Sequence, residues 1–163
     1  MAVDSAKVKE LREMTGLPMM ECKKALEKAG GDVQLAVEEL RKAGLKAQDK
    51  LAGRTAKDGR IGAWVSHDGK VGVVVALRCE TEPVAKNEDF QKLLAELVKA
   101  IEKGKPADAE ALGALKLSTG GTAAEAVTDL VNRIRENISL GRFARFEADA
   151  IVQYVHFDNK KAA

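Results

Sequence analysis

The chain has 163 residues, of which 45% are hydrophobic, and its 27 basic and 25 acidic side chains leave a net charge of +2. A chain of this length and apolar content can bury its own core, either as one medium domain or as a small module joined to a larger one. The balanced charge argues against a nucleic-acid partner, no apolar run reaches the length of a membrane span, and two distant cysteines favour a cytoplasmic location over a secreted disulfide scaffold.

Residues 1–45 predict a compact unit of three helices. Apolar side chains recur at helical spacing in the first helix, and the Thr-Gly-Leu-Pro sequence at residues 15–18 interrupts the pattern. The second helix is expected to begin near Pro18 and to end at Gly30 and the glycine that follows it. Asp32 is a suitable N-cap for a third helix, which should end at Gly44.

The adjacent methionines Met19 and Met20 open the second helix. Neighbouring helical positions point about 100° apart around the axis, so one methionine is expected in the core and the other on the surface. An exposed methionine at this place would give an adaptable contact surface.

Residues 46–60 are rich in Lys, Asp, Gly and Ala and contain few large apolar side chains. This composition is typical of a linker, which could hold a short helical piece. We therefore place a domain boundary there.

A β-hairpin is predicted after the linker. Two β-branched runs, Ile61–Ser66 and Val71–Arg78, flank a turn that contains Asp68-Gly69, a strong signal for a tight reversal. Asn87 is then expected to cap a helix whose apolar stripe packs on the hairpin.

The last third of the chain predicts one more helix and further strand. Thr122 and Glu125 form a capping box, which opens a helix expected to run through Ile138. Residues 143–157 are strand-like, with a break near residues 148–149.

The hairpin turn has a second, similar copy near the end of the chain. Residues 64–70 (WVSHDGK) align with residues 154–160 (YVHFDNK), which share an aromatic residue, Val, Asp, a turn residue and Lys in the same order. Only residues 161–163 follow the second copy, so residues 150–157 are predicted to form an unpaired edge strand. Either the chain is a fragment, or a partner supplies the missing strand.

A polar loop at residues 79–87 follows the hairpin and combines carboxylates, a proline and Cys79. Such loops often carry function, although a solvated connection with a buried cysteine explains the same residues. The sequence contains no HExxH, paired CxxC, GxSxG or phosphate-cradling glycine motif. We therefore predict a protein that is not an enzyme and that has no metal or cofactor site.

Five segments resemble the elongation factor Ts family: residues 9–16, residues 19–26, residues 31–32 with Ala36, the loop at residues 79–87 with Phe90, and residues 136–138 with 142–143. The resemblance implies an α+β fold with an N-terminal three-helix module like the ubiquitin-associated domain, followed by an α/β core whose second subdomain is incomplete. The implied division is a module at 1–45, a linker at 46–60, a core subdomain at 61–140 and a partial second subdomain at 141–163.

The resemblance also implies a partner, the GTPase elongation factor Tu, from which the protein would promote release of GDP. The family's contact positions match Arg12, Met19, Met20, Thr81, Glu82, Pro83, Val84, Ala85, Ile134 and His156. Two departures stand out: Glu82-Pro83 replaces the usual Asp-Phe, and Arg135 replaces a usual glycine. Short members of the family pair with themselves, which implies a homodimer through the C-terminal strands.

The alternative interpretation is a general binding module of the ubiquitin-associated type, joined to an unrelated α/β interaction domain. This interpretation predicts no effect on any GTPase. An RNA-binding accessory protein would need a basic stripe with interleaved aromatic side chains, and only residues 142–146 offer one.

Overall fold

The computed structural model describes residues 3–163 and shows an α+β fold with two hydrophobic clusters. The elements in chain order are α1 Ser5–Thr15, α2 Met19–Lys28, α3 Val33–Leu51, β1 Asp58–Val65, β2 Val71–Cys79, α4 Glu82–Ala85, α5 Glu88–Gly104, α6 Ala109–Ala114, α7 Ala123–Ile134 and β3 Ser139–Glu147. None of the helices in the described residues is both long and apolar enough to cross a membrane.

Helices α1 to α3 form the predicted three-helix module around their own apolar cluster. Gly16 ends α1 in the left-handed conformation, and the Asp32 carboxylate caps α3 by accepting a hydrogen bond from the Leu35 N–H at 3.0 Å. The prediction that one of the two methionines lies in the core is wrong, because Met19 is 52% and Met20 60% exposed. Leu17, just before α2, is buried at this end of the cluster instead.

The third helix does not end at Gly44, as the sequence predicted, but continues to Leu51 and so covers part of the expected linker. Gly44 lies mid-helix because α7 passes close to it: a Cβ at this position would be 3.2 Å from Thr128 Cγ2 and 3.4 Å from Asn132 Nδ2. The glycine permits close approach of two helices rather than termination of one. The assignment of residues 46–60 as a domain boundary stays a prediction.

The predicted hairpin is confirmed and belongs to a three-stranded antiparallel sheet of order β1-β2-β3. Alternate residues of β2, namely Val73, Val75 and Leu77, are buried and form part of the main core. The covering helix α5 begins after Asn87, as expected, and its Val98 reaches to within 2.6 Å of where a Cβ on Gly62 would lie.

Helix α7 has the predicted capping box of Thr122 and Glu125. It ends at Ile134 rather than at Ile138, because Arg135 adopts a left-handed conformation with φ of 66°. Ile138 is buried in the main core after the helix has ended.

The C-terminal segment differs from the predicted edge strand. Strand β3 ends at Glu147, near the expected break, but the prediction that residues 150–157 form an unpaired strand is wrong. Instead, residues 154–163 fold back on themselves: Tyr154 N–H donates to Ala163 O at 2.7 Å, and His156 N–H donates to Lys161 O at 2.9 Å. The three last residues therefore complete a small second hairpin.

Candidate interaction site around residues 79–87

The loop at residues 79–87 connects β2 to α5 and contains the short helix α4. Its first residue, Cys79, is fully buried, and the Cys79 thiol donates a hydrogen bond to Thr81 O at 3.2 Å. Burial raises the pKa of this thiol to about 11, so the side chain is a small buried group rather than a nucleophile. At the other end, the Asn87 carboxamide caps α5.

Two glutamates brace the start of the loop against the segment between α7 and β3. Glu136 accepts hydrogen bonds from the Glu80 and Thr81 N–H groups, both at 3.2 Å, and from the Thr81 hydroxyl at 2.7 Å. In return, Glu80 Oε1 accepts from the Asn137 N–H at 2.7 Å. Because each glutamate binds the backbone of the other segment, the loop is held from two directions.

Glu82 is held by cations of its own chain. Arg60, which is only 5% exposed, donates to Glu82 Oε1 at 2.5 Å and to Oε2 at 3.2 Å. Lys160 lies 2.8 Å from the second oxygen, and Lys86 lies 3.4 Å from the first. Hydrogen bonds from Arg60 and then Lys160 hold the pKa of the Glu82 carboxyl well below its usual range, so this group is an anion at neutral pH.

The loop presents only part of its sequence to solvent. Thr81 and Pro83 are exposed, whereas Val84 is half-buried against the main core and Ala85 is fully buried. Of the five predicted contact residues in this loop, Thr81 and Pro83 therefore have the most accessible side chains. Ala85 can act only by anchoring the loop.

The three-helix module also has exposed side chains at predicted contact positions. Arg12, Met19 and Met20 are all exposed, as a contact role requires. Met14, which follows Leu11 at helical spacing in α1, is also 56% exposed. We call Met14, Met19 and Met20 the methionine surface.

Ile134 and His156 are the two remaining predicted contact residues. Ile134 is half-buried at the end of α7, and the next residue, Arg135, makes a bidentate pair with Glu21 of α2 at 2.6 and 2.8 Å. His156 lies on the second hairpin, where its Nδ1 is 2.9 Å from the Tyr154 hydroxyl and its ring packs at a tilt of 49° against the Phe157 ring.

The charged residues that hold this arrangement were missed by sequence reasoning, which did not single out Arg60, Glu80 or Lys160. One signal was present for Arg60. It occupies the same face of β1 as Gly62 and Trp64, a face that the alternation of the strand turns toward the core. A lone cation on such a face needs a buried anionic partner, although strand alternation does not say which one.

Within residues 3–163, no group of three or more His, Cys, Asp or Glu side chains is arranged to hold a metal ion. The features that the structure does build are the braced loop, the methionine surface and the ion pairs described above.

Comparison with known proteins gives the class of protein and then the family. The protein-family model for elongation factor TS matches residues 80–163. A protein named elongation factor Ts from Azoarcus sp. is 49% identical over 156 residues, which are 94% of this chain and 52% of that protein. The elongation factor Ts of Cytophaga hutchinsonii is 40% identical over 97% of this chain and 57% of its own length. The elongation factor Ts of Streptomyces coelicolor is 42% identical over 93% of this chain and 55% of its own length.

These relatives are elongation factors by name. The chain belongs to the elongation factor TS family. It spans about half the length of the curated relatives that it matches.

Proposed function

We propose that this chain binds elongation factor Tu and promotes the release of its GDP, acting through contact rather than through chemistry of its own, in the cytoplasm. Membership of the elongation factor TS family supports the proposal, as do the exposed residues at the predicted contact positions. The rival interpretation, a general binding module with no effect on a GTPase, differs in one measurable outcome, which is the rate of nucleotide release.

The observation that carries the proposal is the set of hydrogen bonds and ion pairs that holds the loop at residues 79–87. Its backbone is hydrogen-bonded to Glu136, its one glutamate in α4 is paired to Arg60, and the Ala85 carbonyl accepts from Gln91 at 2.5 Å. A loop that is already ordered loses little conformational entropy when it meets a partner. More of its contact energy is then available to oppose nucleotide binding.

Thermodynamic linkage sets the size of the effect required. A factor that binds the nucleotide-free GTPase more tightly than the GDP form must weaken GDP binding by the same ratio. A hundredfold weakening corresponds to about 2.7 kcal/mol of differential binding. The phosphates and Mg²⁺ carry most of the charge interactions of a bound nucleotide, so disturbance of that region by Thr81 and Pro83 would be an effective route.

Stopped-flow release of a fluorescent GDP from elongation factor Tu tests the proposal. The parent should accelerate release, and Pro83→Ala and Glu82→Ala should do so less than Lys103→Ala, a change of a charged residue near the end of α5. Equal release rates with and without the parent would contradict exchange activity. Binding of the nucleotide-free GTPase without faster release would favour the rival interpretation.

Self-association through the C-terminal segment remains a second proposal. Its support is that Val152 and Phe157 are 91% and 90% exposed, which is costly for apolar side chains left in water. Sedimentation velocity across the micromolar range should show a dimer for the parent and a smaller species for the double variant Val152→Ser, Phe157→Ser. A parent that sediments as a monomer throughout this range would contradict the proposal.

A further inference from the structure

The second hairpin copies the first one at its turn. In the first, Gly69 N–H donates to Ser66 O at 2.9 Å and Lys70 N–H donates to Asp68 Oδ1 at 3.1 Å. In the second, Asn159 N–H donates to His156 O at 2.8 Å and Lys160 N–H donates to Asp158 Oδ1 at 3.0 Å. The sequence repeat therefore specifies the same tight turn twice.

The second turn is placed on the first hairpin. Asn159 has a left-handed conformation, with φ of 53°, and its carbonyl accepts a hydrogen bond from the Ile61 N–H on the outer edge of β1 at 2.7 Å. This bond fixes the tip of the turn to a strand edge that would otherwise present an unpaired N–H. Lys160, the next residue, is thereby directed to the end of β1 where the loop at residues 79–87 begins.

Lys160 joins two carboxylates that come from separate segments. Its Nζ lies 3.1 Å from Asp58 Oδ1, at the start of β1, and 2.8 Å from Glu82 Oε2, in the first turn of α4. Arg60 contacts the same Glu82 carboxylate from the core side. Glu82 is therefore bound on one side by the buried Arg60 of the sheet and on the other by the exposed Lys160 of the C-terminal segment.

We propose that the turn at residues 156–160 is a latch, in which Lys160 is a positioning residue that holds Glu82 and through it the adjacent Pro83. The functional half of this inference rests on the proposed exchange activity, and the structural half does not. The latch makes the presentation of the loop depend on whether the C-terminal hairpin is docked.

Helix α4 offers a direct readout of the latch. The amides of Ala85, Lys86 and Asn87 are hydrogen-bonded to the carbonyls of Thr81, Glu82 and Val84 within this single turn. A turn this short is not stable alone, so its amide protection reports on the contacts that hold it. Release of one partly exposed ion pair should accelerate exchange of these amides about fivefold.

The test compares Lys160→Met with Lys161→Met, a matched change at the next residue, whose side chain makes no ion pair among the described residues. Hydrogen-deuterium exchange on the chain alone should show faster exchange of the amides at residues 85–87 in Lys160→Met only, with Lys160→Arg restoring the parent rate. In the nucleotide-release assay, Lys160→Met should lower the maximal release rate by about the same fivefold factor. The concentration of this protein that gives half the maximal rate should change little, because the methionine surface is intact.

The possible outcomes separate the two proposals. Unchanged exchange at residues 85–87 in Lys160→Met would overturn the latch. Faster amide exchange with an unchanged maximal release rate would overturn its functional half. If the parent itself fails to accelerate release, the proposed function fails, while the hydrogen-exchange comparison still decides whether Lys160 holds the loop.

Discussion

The contact between α3 and α7 at Gly44 permits a test in which two physical effects have opposite signs. Replacing a glycine within a helix by alanine is worth up to about 1 kcal/mol of stability, and by valine somewhat less. A Cβ at Gly44, however, would lie 3.2 Å from Thr128 Cγ2 and 3.5 Å from Asn132 Cβ, which is already a tight contact. Both of these neighbours are buried, so they have little room to move aside.

The magnitude follows from how far each side chain extends. For Gly44→Ala the helix gain and the tight Cβ contact nearly cancel, so we expect a free energy of unfolding within about 0.5 kcal/mol of the parent. Gly44→Val adds two methyl groups where the first carbon is already crowded. Overpacking of this kind costs about 1–3 kcal/mol, which leaves a net loss of about 1.5 kcal/mol after a helix gain of about 0.4 kcal/mol is subtracted.

Urea denaturation followed by circular dichroism measures both variants, and Ala43→Val serves as the matched control. Ala43 is exposed on the same helix, so its replacement should cost only the helix-propensity difference of about 0.6 kcal/mol. A Gly44→Val protein as stable as the parent, or more stable, would refute the close approach of α3 and α7 as the reason for this glycine.

Three further predictions concern the charged and buried groups of the site. Arg135→Ala should be about 1 kcal/mol less stable than Arg135→Gly. Both variants lose the pair with Glu21, but only alanine is strained in the left-handed conformation at φ of 66°. Thermal unfolding of the two variants measures this difference. Hydrogen bonds from Arg60 lower the pKa of Glu82 in the folded state. The Glu82 carboxylate therefore contributes its full share to the free energy of unfolding above the unfolded pKa of about 4.3, and this share is lost as the pH falls through the folded pKa. Glu82→Gln should therefore flatten the acid side of the stability profile, and urea midpoints that fall in parallel for parent and variant below pH of about 4 would contradict this. Burial raises the pKa of Cys79 to about 11, so this thiol should resist a disulfide reagent at pH 8 in native buffer and react in urea, as mass spectrometry of the modified peptides would show.

The sequence predicts those parts of the fold that local chemistry decides. The caps at Asp32, Asn87 and Thr122 are where the sequence placed them, because each uses only its own side chain and the next few backbone amides. The repeat likewise identified the second turn, since a tight turn depends on residue types at fixed offsets.

Tertiary partners decide the parts that the sequence did not predict. Gly44 has the local signature of a helix end, and only the later Thr128 and Asn132 show that it is a contact point. In the same way, strand alternation turns Arg60 inward but cannot say that Glu82 will meet it. The prediction that either Met19 or Met20 lies in the core failed for a related reason, since the buried Leu17 fills that end of the module.

Glu82 and Pro83 stand where the family resemblance implies Asp-Phe. The Glu82 carboxylate is turned toward Arg60 and Lys160 of its own chain, so it is poorly placed to act as a free anion toward a partner's Mg²⁺. Pro83 lies in the first turn of α4, where its missing N–H costs nothing and its ring fixes the backbone. A proline ring has a smaller apolar face than phenylalanine, but it loses almost no side-chain entropy when it is pressed against another surface. If exchange depends on a wedge at this position, the stiffness of the proline would offset part of the lost contact area, and Pro83→Phe should then gain activity only while Glu82 stays paired.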